Sequence, residues 1–204
     1  MLDTATNLLY VRQLADFIVS QHFDPVTQKT PYYHMGATIT DAVLQAGLNY
    51  NHVVYPRVLK LLKDYPNYTS TCDFIILMQT IPLSEIINWT NKRKLELIEQ
   101  LCWLFLRNDI QNEDQLAYWL DDECHVKQLL DINGVGPKTI DYLKMLSGLQ
   151  AIAIDRHLFE FLQLAGIFID TYDEARDLYQ KTASYLSMSN YEIDRKVWLY
   201  MSKQ

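Results

Sequence analysis

Ile132-Asn133-Gly134-Val135-Gly136-Pro137-Lys138-Thr139 is a turn set between two short amphipathic stretches. Upstream, residues 122–131 carry Val126, Leu129 and Leu130 as an apolar stripe at helical spacing; downstream, residues 138–147 do the same with Ile140, Leu143 and Leu146. The segment therefore predicts two helices joined by a tight glycine hairpin. Glycines at 134 and 136 allow backbone conformations closed to other residues and remove side chains that would bar a close approach. Pro137 suits the first position of the following helix, where its missing N–H is harmless. A turn of this kind presents helix N-terminal N–H groups outward, an anion site that can grip a phosphate without sequence preference. Gly-x-Gly alone is also an ordinary helix–helix turn, so its meaning depends on the residues around it.

Apolar residues elsewhere recur mostly at helical spacing, with almost no period-two alternation, and the chain reads as all-α. A first helix is expected from about Asp3 to Gln21, with Leu8, Val11, Leu14, Ala15 and Ile18 on one face, followed by a loop over Phe23 to Pro31. Further helices are expected near 38–47, 52–64, 70–80, 84–88, 92–108, 113–120, 122–131, 138–147, 156–165, 172–187 and 190–202. The 92–108 helix buries Leu95, Ile98, Leu101, Cys102 and Phe105, yet opens on Lys92-Arg93-Lys94. Basic residues at a helix N-terminus oppose the macrodipole, so local stability does not explain them. A solvated turn and a phosphate contact are both open for that cluster.

A formal charge of −7 on 204 residues argues at first sight against so acidic a partner as nucleic acid. The charge is concentrated, however. Asp109, Glu113, Asp114, Asp121, Asp122 and Glu123 have no basic residue among them, and they are expected on a face turned away from DNA. Lys92, Arg93, Lys94, Lys138 and Lys144 would supply local positive potential. Cys72, Cys102 and Cys124 are too few and too scattered for a disulfide framework or a four-thiolate cluster, which suits a reducing, cytoplasmic setting. The longest uncharged apolar stretch, Phe74 to Leu83, falls short of a membrane span, and the opening Met1 to Thr6 has no secretory-signal pattern.

With its flanks, Leu-x-x-Ile-x-Gly-Val-Gly-Pro-Lys-Thr resembles the helix-hairpin-helix motif, and Ala151-Ile152-Ala153-Ile154-Asp155-Arg156-His157-Leu158-Phe159 resembles the segment after the hairpin in the helix-hairpin-helix base-excision DNA glycosylases, the endonuclease III superfamily. Lys138 falls where the bifunctional members carry their catalytic lysine and Asp155 where they carry their catalytic aspartate, 17 positions on. Lys94 is similar to the family's lysine two elements before the hairpin, and Asp194-Arg195-Lys196-Val197-Trp198-Leu199 to its final helix. The resemblance spans about residues 35–202 and is closest at 125–162. Gly148 lies in the connecting loop, but the proline often found there is missing. The C-terminal four-cysteine iron–sulfur motif of endonuclease III is missing too, so the resemblance is to a small cluster-free branch and no cofactor or metal is expected. The Ile-Asp-Arg-His string also resembles the compact microbial 8-oxoguanine glycosylase/lyases.

The resemblance implies an all-α fold of two helical subdomains with a cleft between them: residues 35–120 in one, residues 1–34 plus 121–204 in the other. It implies a monomer acting on duplex DNA, with Gly134, Val135, Gly136, Lys138, Thr139 and Lys94 at the phosphates. Asp155 would stabilise positive charge on the deoxyribose as a base leaves, and Lys138 would attack C1′ as a Schiff-base nucleophile, giving abasic-site lyase activity. Taken alone, Asp155 is also a good helix N-cap, and His157 fits an orienting or structural role better than a chemical one. The loop Leu48-Asn49-Tyr50-Asn51 resembles the family's wedge, with Asn49, Tyr50 and Asn51 filling the gap left by a flipped base; a capped Asn-rich turn is the alternative. A DNA-binding module without chemistry, a monofunctional glycosylase and a protein-interaction helical domain stay open. Among lesions, 8-oxoguanine, oxidised pyrimidines and alkylated purines all stay open.

Overall fold

The computed structural model describes residues 4–27 and 30–203. Met1 to Asp3, which bear on the expected start of the first helix and on the secretory-signal reading, lie outside them. Twelve α-helices and one π-helical turn account for the regular structure of the described residues, which include no strand. Each expected helix is present, with ends displaced by at most a few residues. The chain forms two compact units, one of residues 30–149 and one of residues 1–29 with 150–204.

In the discontinuous unit, α1 (Thr4–Ser20) packs against α11 (Tyr172–Tyr185), and α10 (Arg156–Leu164) and α11 both pack against α12 (Asn190–Met201). Val11, Leu14, Ala15 and Ile18 are buried as their spacing required, but Leu8 is 52% exposed and ends the apolar face one turn early. Gln13 Nε2 donates to the Ala165 carbonyl at 2.7 Å, closing the end of α10 with a side chain from α1.

The continuous unit is built around α2 (Met35–Gln45), which is buried on every side from Met35 to Leu44. A helix this apolar all round belongs at the centre of a core. It packs against α3 (Tyr55–Asp64), α4 (Thr71–Thr80), α6 (Lys92–Arg107) and α9 (Pro137–Leu146), and against the π-helical turn Tyr50–Val54 that runs directly into α3. Gly36 is dictated by the packing: a Cβ there would lie 2.6 Å from Cδ2 of Phe74. Short helices α5 (Leu83–Ile86), α7 (Glu113–Leu120) and α8 (Glu123–Leu130) complete the unit.

Two expectations fail against this architecture. Because α9 packs on α2 and α7, and α8 on α7 and α9, residues 121–149 group with residues 30–120 and not with the N-terminal helix. The boundary falls after the hairpin helices, not before them. The acidic stretch, expected together on a face turned away from DNA, also has a buried member. Glu113 is 1% exposed, and its Oε1 accepts from the His34 backbone N–H at 2.9 Å and from Thr38 Oγ1 at 2.6 Å, pinning the start of α2. Asp121 to Glu123 do stay exposed, at the opposite end of α8 from the hairpin, about 12 Å away along an eight-residue helix.

Candidate functional site

The hairpin joins α8 to α9. The Val135 N–H donates to the Ile132 carbonyl at 3.0 Å, and Gly134 sits at φ +98°, in the left-handed region that disfavours side chains. A Cβ on Gly134 would also meet Leu97 Cδ2 at 3.2 Å. Gly136 differs in kind. Its φ of −122° is open to any residue, and a Cβ there would meet nothing within 4 Å. Neither backbone strain nor internal packing accounts for a glycine at 136. It is the N-cap of α9 and offers no side chain to the first-turn amides, with Pro137 following in the first turn. The result is a smooth, uncapped helix N-terminus with open space before it, the geometry that suits a phosphate.

The other members of the expected phosphate set behave differently. Val135 and Thr139 are 7% and 6% exposed, so little of either residue is open to a ligand. Leu130, expected on the buried stripe, is 43% exposed, and Leu129 alone anchors α8 fully. Lys94 is engaged within the protein. Its Nζ donates to the carbonyls of Val43 at 2.6 Å and Ala46 at 3.0 Å, at the C-terminal end of α2. This explains the lysine at an unfavourable helix start: its charge serves the negative pole of another helix. Burial, and then the charge of Lys138, hold the Lys94 ammonium below the usual lysine range. Lys138 itself is half-buried in the first turn of α9. Lys92 and Arg93 remain exposed on the same turn as Lys94.

Asn49, Tyr50 and Asn51 lie at the π-helical turn. Asn49 Oδ1 accepts from the His52 N–H at 2.9 Å as its cap, Tyr50 is half-buried with its ring stacked 6.0 Å from that of Tyr55, and Asn51 and His52 are exposed. π-helical turns are rare and collect at functional sites. Arg57 braces this one by donating Nη1 to the Val53 carbonyl at 2.6 Å and Nε to the Asn88 carbonyl at 3.1 Å, with its guanidinium 4.5 Å above the Trp89 ring. Nothing in the local sequence around Arg57 signals these partners.

In the discontinuous unit, Asp155 is the N-cap of α10. Its Oδ1 accepts from the N–H groups of His157 at 2.9 Å and Leu158 at 3.2 Å. The preceding residues Ala151 to Ile154 are buried, and Asp194 on α12 holds them by accepting the Ala153 N–H at 3.0 Å. The sequence signal for Asp194 is its register, three residues before Val197 and seven before Met201 on the face that α12 buries, though its partner has no such signal. His157 meets the edge of the Trp198 ring at 6.1 Å, and its Nδ1 is buried without a hydrogen-bond partner, 3.9 Å from Glu160 Oε2. Lys138 and Asp155 belong to different units.

Among the described residues no group of three or more His, Cys, Asp or Glu is placed to hold a metal ion, and no helix is long and apolar enough to cross a membrane.

The family described as Domain of unknown function (DUF8548) matches residues 87–202, a segment holding the hairpin and Asp155 but not the Asn49–Asn51 turn. No curated protein sequence matches the chain. Among solved structures the chain is similar to the crystal structure of the H. pylori 3-methyladenine DNA glycosylase (MagIII) bound to 1,N6-ethenoadenine. The two share 16% identity over 99% of this chain and 98% of that one, with a TM-score of 0.52. At that identity the likeness establishes the fold, end to end.

Proposed function

The chain belongs to the DUF8548 family, and from its glycosylase-like fold and the hairpin geometry we propose that it excises a damaged base from duplex DNA and cleaves the abasic site. The observation that carries this is Gly136: a glycine that neither backbone nor packing requires, at an uncapped helix N-terminus, with Lys138 in the turn that begins there. Backbone amides there would hold a phosphate, while Lys92 and Arg93 add charge on another exposed turn.

Asp155 is the group for the first step. As the N-glycosidic bond breaks, its electron pair leaves with the base and positive charge grows on the deoxyribose, which a nearby carboxylate stabilises. The free amine of Lys138 bonds to C1′, and opening of the sugar ring leaves a protonated Schiff base. That cation acidifies C2′. Loss of a C2′ proton then expels the 3′ phosphate with its bonding pair, cutting the strand, and water later releases the lysine.

The test is borohydride trapping on an abasic-site duplex. The expected result is a covalent adduct with the wild type that disappears in Lys138→Ala. A wild type that forms no adduct overturns the lyase activity. The N-cap geometry of Asp155 favours one second reading, a DNA-binding protein of the same fold without chemistry; it predicts duplex affinity, no adduct and no base release from any member of a panel of single-lesion duplexes. The same panel identifies the substrate: the MagIII complex with 1,N6-ethenoadenine makes alkylated purines the first lesions to try.

A further inference from the structure

Asp41, on α2, is fully buried. Burying a carboxyl group is unfavourable unless donors replace the lost water, and an apolar residue of similar volume would serve the core as well or better. Here both oxygens are supplied. Oδ2 accepts from Tyr32 Oη at 2.6 Å and Oδ1 accepts from Tyr142 Oη at 3.2 Å. Tyr142 lies on α9, the second hairpin helix, and Tyr32 lies in the segment leading into α2. The Tyr32 hydroxyl is in turn 3.5 Å from that of Tyr50, in the π-helical turn. A phenol carries one proton, and that of Tyr32 is directed at Asp41, so Tyr50 is the donor in the second contact. Burial and then the charge of Asp41 push the hydroxyls of Tyr32 and Tyr142 well above the usual tyrosine range, which keeps both as donors. A line of hydrogen bonds therefore runs from the hairpin helix, through the centre of the core, to the half-exposed Tyr50.

We infer that Asp41 is a positioning residue that ties Tyr50 to the hairpin helix through Tyr32 and Tyr142, so that the wedge is set before DNA arrives. The wedge role rests on the glycosylase reading above; the tether itself does not. In the expected sequence of events the hairpin amides take the phosphate, and the tether fixes where Tyr50 stands relative to them.

Hydrogen exchange on the full chain without DNA tests the tether. The Val53 and Val54 amides, which donate to the Asn49 carbonyl at 2.9 and 3.3 Å, report on the turn. Tyr32→Phe is expected to speed their exchange about tenfold, and Tyr142→Phe to speed it by a smaller factor although it lies on another helix, with α6 unchanged. Asp41→Asn, nearly the same shape, is the second variant and is expected to act as Tyr32→Phe does. Unchanged exchange at Val53 and Val54 in all three overturns the tether. A duplex with 2-aminopurine beside an abasic site then tests the wedge: Tyr32→Phe is expected to lower the fluorescence rise that reports base extrusion by about tenfold while affinity stays within about twofold. An equal rise in Tyr32→Phe and wild type overturns the wedge role. A wild type giving neither binding nor a rise overturns the glycosylase reading with it, and the exchange result still decides the tether separately.

Discussion

The Lys94 ammonium donates to the Ala46 carbonyl at 3.0 Å, so the first turn of α6 closes the last turn of α2. With the second bond to Val43, this removes two orphan carbonyls from a fully buried helix. Lys94→Met should cost about 1–3 kcal/mol of stability, because those carbonyls lose a charged donor. Urea unfolding measures that loss. The salt dependence of duplex binding should be unchanged in the same variant, since a lysine occupied inside the protein neutralises no phosphate; a shallower slope would return Lys94 to the DNA-binding set.

Gly134 and Gly136 should respond in opposite ways to alanine. Gly134→Ala places a Cβ at φ +98° and 3.2 Å from Leu97, and about 1–2 kcal/mol of destabilisation is expected. Gly136→Ala meets no atom, and the smaller entropy of the unfolded chain offsets alanine's weakness as an N-cap, leaving stability within about 0.5 kcal/mol. Duplex affinity should nevertheless fall about tenfold or more in Gly136→Ala, about 1.4 kcal/mol. Thermal melts paired with anisotropy titrations on one duplex check both halves.

The cap that Asp155 forms and the catalytic role proposed for it are separable. Asn caps a helix as well as Asp, so Asp155→Asn should melt within about 0.5 kcal/mol of wild type while Asp155→Ala loses about 1 kcal/mol. Base release should fall about 100-fold or more in both, because both lack the charge. Single-turnover rates on the cleaved lesion separate these outcomes, and an Asp155→Asn variant as fast as wild type would reduce Asp155 to a cap.

His34 makes stability depend on pH. Its Nδ1 accepts from the Ala37 N–H at 3.2 Å, and its Nε2 lies 3.1 Å from the Tyr65 carbonyl, where it donates. Only the neutral ring does both, and burial holds its pKa below the ordinary 6.5. Below about pH 6.5 the unfolded chain therefore binds a proton that the folded chain refuses. The capping contribution is whole above that pH and declines as the pH falls toward the lowered folded value. Urea midpoints for wild type and His34→Asn at pH 7.5 and 5.5 measure it: the gap between the two should narrow on acidification.

How far the sequence leads differs from element to element. α9 is legible from Pro137 to Leu146 because its start signal and its apolar period are both local. The same local logic misplaces Leu130, where the periodicity continues but the residue is 43% exposed beside a buried Leu129. Lys94 reads as a surface cation because its partners, the carbonyls of Val43 and Ala46, are backbone atoms of a helix some fifty residues earlier. Glu113 reads as part of a solvated acidic run, since its identity gives no hint that it accepts from His34 and Thr38. Asp41 and its tyrosines are silent for the same reason: the cluster is assembled from four stretches of chain, none unusual alone. Asp155 shows both its faces in the sequence, as a cap by local rule and as a candidate catalytic group by resemblance.

The unit of residues 30–149 is one unbroken piece of chain inserted between α1 and α10. During synthesis α1 leaves the ribosome before that unit, and its partner α11 leaves after it. While residues 30–149 are being made, Val11, Leu14 and Ile18 lack the α11 surface that covers them, and the inserted unit already holds everything its own core requires. Closing so long a loop adds little to the thermodynamic cost, which grows only logarithmically with length, but it delays assembly. The unit that carries Asp155 is thus completed after the unit that carries the hairpin, and a nascent chain folds its Gly134–Gly136 turn before the α10 cap at Asp155.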